Sequence, residues 1–143
     1  MFTGIIKLDK LCSVNTAHKI GRAGNKSWIY LDPLIVQMQK SIEQQLIDQN
    51  VHAYFKDLKG KDLVYEVEII FAIKENFFKR DTTNIIKYVE DAIASATEIN
   101  DAYHVKVSAK KVLNNKDDFE YIIIVIQEQS KDSVINMKDL QGD

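Results

Sequence analysis

The sequence predicts an α+β domain in which a mixed sheet of about four strands carries two main helices. Three observations support this prediction. Apolar residues recur at helical spacing between Pro33 and Asn50, and they occupy every second position from Leu63 to Ile73, with Glu66 and Glu68 on the opposite face. They also run almost without interruption from Phe119 to Gln127. Strands and helices do not alternate regularly enough for a doubly wound sheet, so helices packed on one sheet are expected.

The first part of the chain predicts a strand, a long loop and a helix. Gly4 to Leu8 has the composition of a short strand, and the segment from Cys12 to Trp28 has no periodicity and is predicted as a loop. Asp32 followed by Pro33 is typical of a capped helix start. Trp28 and Tyr30 are predicted as core anchors leading into this helix, with a stacking platform for DNA bases as the alternative.

The second part predicts strand, helix, strand and strand, so the complete order is β-loop-α-β-α-β-β. A helix follows Asp81, and the last two strands are joined by a turn at residues 114–118. The last strand is apolar almost throughout and is expected inside the sheet with both faces covered. Residues 1–129 are predicted as one domain, and residues 130–143 as a polar tail or a final short helix. The apolar face of the second helix comprises Ile85, Ile86, Val89, Ala92, Ile93 and Ala96.

Composition favours a cytoplasmic globular protein. The 143 residues contain one cysteine, Cys12, which excludes an internal disulfide, and the sequence shows neither a signal peptide nor an apolar run of about 20 residues. The net charge of −2 gives no support for nucleic-acid binding, but the basic residues are clustered. His18 to Lys26 and Lys106 to Lys116 each contain several cations and no acid.

The helix after Asp81 permits two interpretations. In the first, Asp81 or Thr82 caps the helix, and Glu90 and Asp91 are solvated on its outer side. In the second, Asp81 and a later acid, Asp101, hold Mg²⁺, which prefers oxygen ligands and retains several waters. Lys87 would then stabilise charge on a phosphate or leaving oxygen.

The pattern as a whole resembles the RusA-type Holliday junction resolvases, which are small phage-derived endonucleases. Ser13 and Asn15 match their early Ser-x-Asn element, and His18 to Lys26 matches the basic loop that follows. The resemblance extends from about Gly4 to Gln127. The residues that match the central "R-D-x-D-N-x-x-K-x-x-x-D-A" block are Arg80, Asp81, Asn84, Lys87, Asp91 and Ala92, and "ND" at Asn100 and Asp101 corresponds to the later acidic pair.

The resemblance implies a homodimer that binds four-way DNA junctions and cuts two strands symmetrically by phosphodiester hydrolysis, in recombination and repair. It implies Mg²⁺, with Mn²⁺ as an alternative ion, and the cytoplasm of a bacterial or phage-infected cell. Asp81 and Asp101 are the implied metal ligands, and Lys87 is the third implied catalytic residue. The DNA-binding residues expected around this site are Asn15, Lys19, Arg22, Lys26, Lys79 and Arg80.

Two departures from the family pattern reduce the negative charge of the implied site. Thr83 replaces the second carboxylate of the central block, and Asn100 replaces the first acid of the later pair. Their hydroxyl and amide oxygens remain auxiliary ligands, although weaker than carboxylates. The alternative function is therefore a catalytically impaired module that binds branched DNA, or a replication protein of a mobile element, without cleaving.

Overall fold

The computed structural model describes residues 1–12 and 18–141, and its α+β architecture agrees with the prediction. Four strands form a mixed sheet in the order β1-β6-β4-β5, and the other two form a separate hairpin. The strands are β1 (Phe2–Leu8), β2 (His18–Ala23), β3 (Lys26–Leu31), β4 (Leu63–Ile73), β5 (His104–Leu113) and β6 (Glu120–Ser130).

The first three helices of the chain pack on one face of this sheet. In α1, Asp32 caps the first turn as predicted, because its Oδ1 accepts a hydrogen bond from the Leu34 amide at 2.8 Å. The apolar face predicted for α3 is buried against the sheet, apart from Ile86, which is partly exposed. The helices are α1 (Pro33–Asp48), α2 (Val51–Lys56), α3 (Ile86–Thr97) and α4 (Met137–Gln141).

The strand directions decide where each end of α3 lies. β4 pairs with β5 in parallel and with β6 antiparallel, and β6 pairs antiparallel with β1. Because α3 returns the chain from the end of β4 to the beginning of β5, the two ends of α3 lie at opposite ends of the sheet.

β6 lies inside the sheet, as predicted, but only one of its faces is fully covered. Ile122, Ile124 and Ile126 are buried beneath the helices, whereas Ile123 and Val125 on the opposite face are partly exposed. The apolar run of β6 is continuous because the strand lies between two other strands and its second face is still partly covered. The prediction that both faces would be fully covered was wrong.

The segment predicted as a long loop contains a β-hairpin. β2 and β3 pair antiparallel, and Gly24 begins their two-residue turn with a φ of 60°, the pattern of a type II′ turn. Trp28 packs across Gly21, where a Cβ atom would come within 2.3 Å of the indole ring. Trp28 is nevertheless 49% exposed and Tyr30 41% exposed, so neither is a core anchor.

The two edge strands of the sheet are β1 and β5, and they differ in what covers them. Gln45 of α1 and Gln49, the residue that caps the end of α1, bind the backbone of β1, where each side-chain amide accepts from one N–H and donates to one C=O. These four bonds, to Ile5 and Lys7, measure 2.8–2.9 Å. In the part of the chain that the structure describes, no strand pairs with the outer edge of β5.

The segment after β6 is not purely polar. A 3₁₀ turn (Lys131–Ser133) and the short helix α4 follow, and they expose the apolar residues Val134, Ile135, Met137 and Leu140. None of the helices within residues 1–12 and 18–141 is long and apolar enough to cross a membrane.

Candidate functional site

Asp81 lies in the connection between β4 and α3. Its Oδ1 accepts a hydrogen bond from the Thr83 amide at 2.9 Å, which forms an Asx turn just before the 3₁₀ turn (Thr83–Ile85) that precedes α3. The side chain of Asp81 is exposed, as are those of Thr83 and Lys87. The structure thus brings Asp81, Thr83 and Lys87 to the beginning of α3, and the Asx turn accounts for one oxygen of Asp81. Neither Asp81 nor Thr82 forms a side-chain cap on α3.

The connection that carries Asp81 is fixed to the far end of β5. Lys111 of β5 donates hydrogen bonds from its Nζ to the carbonyl oxygens of Phe77 (2.7 Å) and Arg80 (2.9 Å). The same ammonium group lies 4.6 Å from the centre of the Phe77 ring. Asp81 therefore sits beside the last residues of β5.

Arg80, which was expected to contact DNA, is buried. Its Nη2 lies 3.0 Å from Oε1 of Glu120 and donates to the Leu11 carbonyl at 2.8 Å, and only 8% of the residue is exposed. Burial disfavours the charged form of Glu120, but hydrogen bonds from the Leu11 and Lys74 amides and from Arg80 outweigh it, so the pKa of Glu120 lies below its ordinary value. Arg80 thus has a structural role here, which corrects the expectation of a direct phosphate contact.

The basic hairpin begins at this same end of the molecule. Nζ of Lys19 lies 3.5 Å from Oδ2 of Asp32, and the His18 ring meets the Tyr88 ring of α3 edge to face at 6.4 Å. Cys12 lies close to both Asp32 and Arg80: burial raises the pKa of its thiol, and Asp32 raises it further. The basic hairpin therefore begins near α3, whereas the Ser-x-Asn element at Ser13 and Asn15 lies outside the described residues.

The remaining expected DNA contacts are exposed. Arg22 and Lys26 lie on the hairpin, and Lys79 ends the 3₁₀ turn (Phe77–Lys79) just before Arg80. The neighbouring Phe78 is 96% exposed. Sequence reasoning missed Phe78, since apolar residues before a helix are usually assigned to the core.

Asp101 lies at the other end of α3. It begins a 3₁₀ turn (Asp101–Tyr103) before β5, and Oδ1 of Asn100 caps this turn by accepting from the Ala102 amide at 2.9 Å. The twelve residues of α3 alone span about 18 Å at a rise of about 1.5 Å per residue. Two oxygens on one Mg²⁺ lie only about 3–4 Å apart. The expected convergence of Asp81 and Asp101 within a single chain is therefore not formed, and one chain does not fit the implied ion.

A buried polar pair links the middle of α3 to β5. Nδ1 of His104 lies 3.1 Å from Oε2 of Glu90, and the His104 side chain is almost completely buried. Glu90 was expected to be solvated on the outer face, but it holds the first residue of β5 against α3 instead. Glu90 and His104 are fourteen positions apart in the sequence, and this spacing does not match any local periodicity that would predict their contact.

Within residues 1–12 and 18–141, no group of three His, Cys, Asp or Glu side chains converges as a metal site would require. No protein-family model and no curated protein matches the chain.

Proposed function

We propose that the protein is a Mg²⁺-dependent, homodimeric endonuclease of branched DNA, with each active site built from Asp81 of one subunit and Asp101 of the partner subunit. The observation that carries this proposal is the open edge of β5, because Asp101 precedes this strand and Asp81 lies beside its far end. The resemblance to the RusA-type resolvases supplies the substrate and the ion.

An antiparallel pairing of two β5 strands about a twofold axis would place the required residues together. In such a pair the beginning of one strand lies opposite the end of the other, about 4.8 Å away. Asp101 would thus approach Asp81 of the partner subunit, and symmetry would create two equivalent sites. Paired cuts in a twofold-symmetric junction require two active sites that are related by a twofold axis.

The side chains of β5 discriminate between two neighbouring registers for this pairing. If the axis passes beside Ala109, Val105 faces Leu113, Lys106 faces Val112 and Ser108 faces Lys110 across the two strands. If the axis passes beside Ser108 instead, Lys106 faces Lys110, and like charges directly opposite each other are unfavourable. We therefore expect the register centred on Ala109, whose side chain is exposed.

The other residues of the site have roles that follow from their positions. Lys87, exposed in the first turn of α3, is placed to stabilise negative charge on phosphate oxygens near Asp81. Thr83 and Asn100 each neighbour one of the two acids and are auxiliary oxygen ligands. An ion held there would polarise the phosphate and lower the pKa of bound water.

The β2–β3 hairpin is proposed as the main DNA contact. It exposes Arg22 and Lys26, and Lys19 lies at its base paired with Asp32. No acid occurs between Asp9 and Asp32. A two-stranded ribbon has the width to enter a DNA groove, and basic side chains bind the backbone phosphates. Trp28 and Tyr30, which are exposed on β3, supply aromatic surface for stacking on unpaired bases.

A subunit-complementation experiment tests the composite site. Asp81→Asn and Asp101→Asn should each be inactive as homodimers on a labelled four-way junction with Mg²⁺. When the two variants are co-expressed with different tags and the heterodimer is isolated, one site contains both native acids and the other contains neither. We expect the heterodimer to nick one strand without making paired cuts.

The control for this experiment is a heterodimer of the parent chain with the double variant Asp81→Asn/Asp101→Asn. In a composite arrangement each of its sites lacks one acid, so it should be inactive. A site formed within one chain predicts the reverse result for both heterodimers, and this outcome would overturn the proposed geometry.

A second candidate function is the binding of branched DNA without cleavage. It is favoured by the hydrogen bond that Asp81 accepts from the Thr83 amide and by the separation of the two acids within one chain. It predicts salt-sensitive binding of the junction by the parent protein, with the DNA strands intact at every concentration of Mg²⁺ or Mn²⁺.

A further inference from the structure

A cavity of about 340 Å³ opens at the Asp101 end of the molecule. It lies between the segment after α2, the beginning of β4 and the turn before β5. Cavities in this size range accommodate small organic ligands. Asn100 and Tyr103 line it, and these residues flank Asp101.

The floor of the cavity is apolar, with a polar group at its base. Phe55, Leu63 and Ile99 contribute the apolar surface. Tyr65 also lines the cavity, with 6% of the residue exposed, and its hydroxyl forms no hydrogen bond to another residue in the described part of the chain. Burial, followed by the nearby charge of Glu128, raises the pKa of Tyr65, so this hydroxyl stays protonated and can donate a hydrogen bond.

The rim of the cavity carries more positive than negative charge. Lys59 pairs with Glu98 at 3.2 Å, and Lys131 pairs with Asp62 at 2.7 Å while lying 5.3 Å from the centre of the Tyr103 ring. Lys61 forms no ion pair within residues 1–12 and 18–141. Tyr103 is 44% exposed and offers aromatic surface beside these cations.

We infer that this cavity binds one nucleotide of an unpaired DNA strand, with the base against Tyr103 and the apolar floor and the phosphate at Lys61. An apolar, partly aromatic floor matches a nucleobase, whose faces stack on aromatic rings, and the cationic rim matches a phosphate. The choice of a nucleotide rests on the proposed function. Because Tyr103 and Asn100 flank Asp101, the bound nucleotide would lie next to the proposed site of hydrolysis.

The inference can be tested without cleavage and without Mg²⁺. Thymidine 5′-monophosphate is titrated into the parent protein while backbone amide shifts are followed by NMR, with inorganic phosphate and thymidine titrated separately. We expect the nucleotide to shift the amides of Gly60, Lys61, Asn100 and Tyr103, and each half-ligand to bind more weakly. Equal binding of phosphate alone would mean an unspecific anion site and would overturn the inference.

Variants at two exposed positions, Tyr103 and Lys61, identify the contacts. Tyr103→Ala should weaken nucleotide binding at least about fivefold, the smallest loss expected for one base stacked on an aromatic ring. Tyr103→Phe, which keeps the ring, should restore it. Lys61→Glu should weaken binding of the nucleotide but not of thymidine, whereas Lys40→Glu, an equal charge change on an exposed part of α1, should affect neither.

Failure of this inference is distinguishable from failure of the proposed function. If no shifts occur around Gly60 and Tyr103 but the junction is cleaved, the cavity is not a nucleotide site and the composite site is unaffected. If nucleotide binding follows the expected pattern without cleavage, the cavity assignment holds and the non-catalytic function is favoured.

Discussion

The two edge strands of the main sheet differ in how the N–H and C=O groups on their outer sides are hydrogen-bonded. On β1, the side-chain amides of Gln45 and Gln49 take the place of a neighbouring strand, and their four hydrogen bonds satisfy the N–H and C=O of Ile5 and Lys7. On β5, the outer backbone groups lie free in the described chain. An unpaired edge is a template for another strand, so natural proteins usually cover it or protect it with charge.

The difference indicates which edge can form an interface. β1 is closed by a helix of its own chain, and opening it would break four hydrogen bonds. β5 combines exposed apolar residues, Val105, Val107 and Leu113, with the lysines Lys106 and Lys110. Repulsion between these lysines disfavours any register in which they face each other across the two strands. They do not face each other in the register centred on Ala109. In the proposed homodimer, the open edge would therefore accept a second copy without placing these lysines opposite each other.

The largest expected effect comes from breaking the buried ion pair between Arg80 and Glu120. Arg80→Leu leaves the Glu120 carboxylate buried without its cation, next to the Leu11 segment that follows β1. Removing one partner of a buried pair costs about 3–5 kcal/mol, so the free energy of unfolding in urea should fall by about this amount. Lys79→Leu, at the exposed neighbouring position, should change it by less than about 0.5 kcal/mol.

The pH dependence of stability gives an independent check on this pair. Because the pKa of Glu120 is lowered in the folded state, its contribution is fully present above its ordinary value of 4.5 and is lost as the pH falls through the folded pKa. Glu120→Gln should therefore be less stable than the parent at pH 7, and the difference should shrink in acid. A constant difference between pH 7 and pH 3 would contradict the assigned role of the carboxylate.

An intermediate effect is expected from opening the closed edge. The double variant Gln45→Ala/Gln49→Ala loses the four hydrogen bonds to β1, whose backbone groups then turn to water. We expect a loss of about 1–2 kcal/mol and faster hydrogen exchange at the Ile5 and Lys7 amides. Gln44→Ala is the matched control, since Gln44 bonds only to Asp48 within α1. Unchanged exchange at Ile5 and Lys7 in the double variant would show that the glutamines do not close this edge.

The sheet could be predicted from the sequence because its signals are local. Alternation in β4, the cap at Asp32 and the apolar face of α3 each result from periodicities of two or 3.6 residues. The β2–β3 hairpin was missed because its strands bury neither face, so the alternation that identifies a half-buried strand is absent. The Gly24–Asn25 turn was its one local signal.

The candidate site was less predictable because it depends on contacts between distant residues. The sequence shows Asp81 and Asp101 twenty positions apart, but only the parallel pairing of β4 and β5 shows that they lie at opposite ends of α3. Arg80 is likewise indistinguishable in sequence from an exposed arginine, since its partner Glu120 is forty positions away. The short motif around Arg80 and Asp81 therefore predicts which segment carries the candidate residues. It does not indicate which of their side chains face solvent.

The smallest expected effect tests the open edge most directly. In the proposed register Ala109 faces its own copy, so Ala109→Glu places two like charges directly opposite each other, at a cost of about 0.2–1 kcal/mol. The dissociation constant of the dimer, measured by analytical ultracentrifugation at low salt, should rise by up to about fivefold, and high salt should reduce the change. Thr3→Glu adds the same charge to an exposed position of β1, the closed edge, and should leave the constant unchanged. If Thr3→Glu weakened the dimer and Ala109→Glu did not, the interface would lie on the β1 side of the sheet. The composite arrangement of Asp81 and Asp101 would then lose its physical basis, because only pairing through β5 brings the beginning of one strand beside the end of the other.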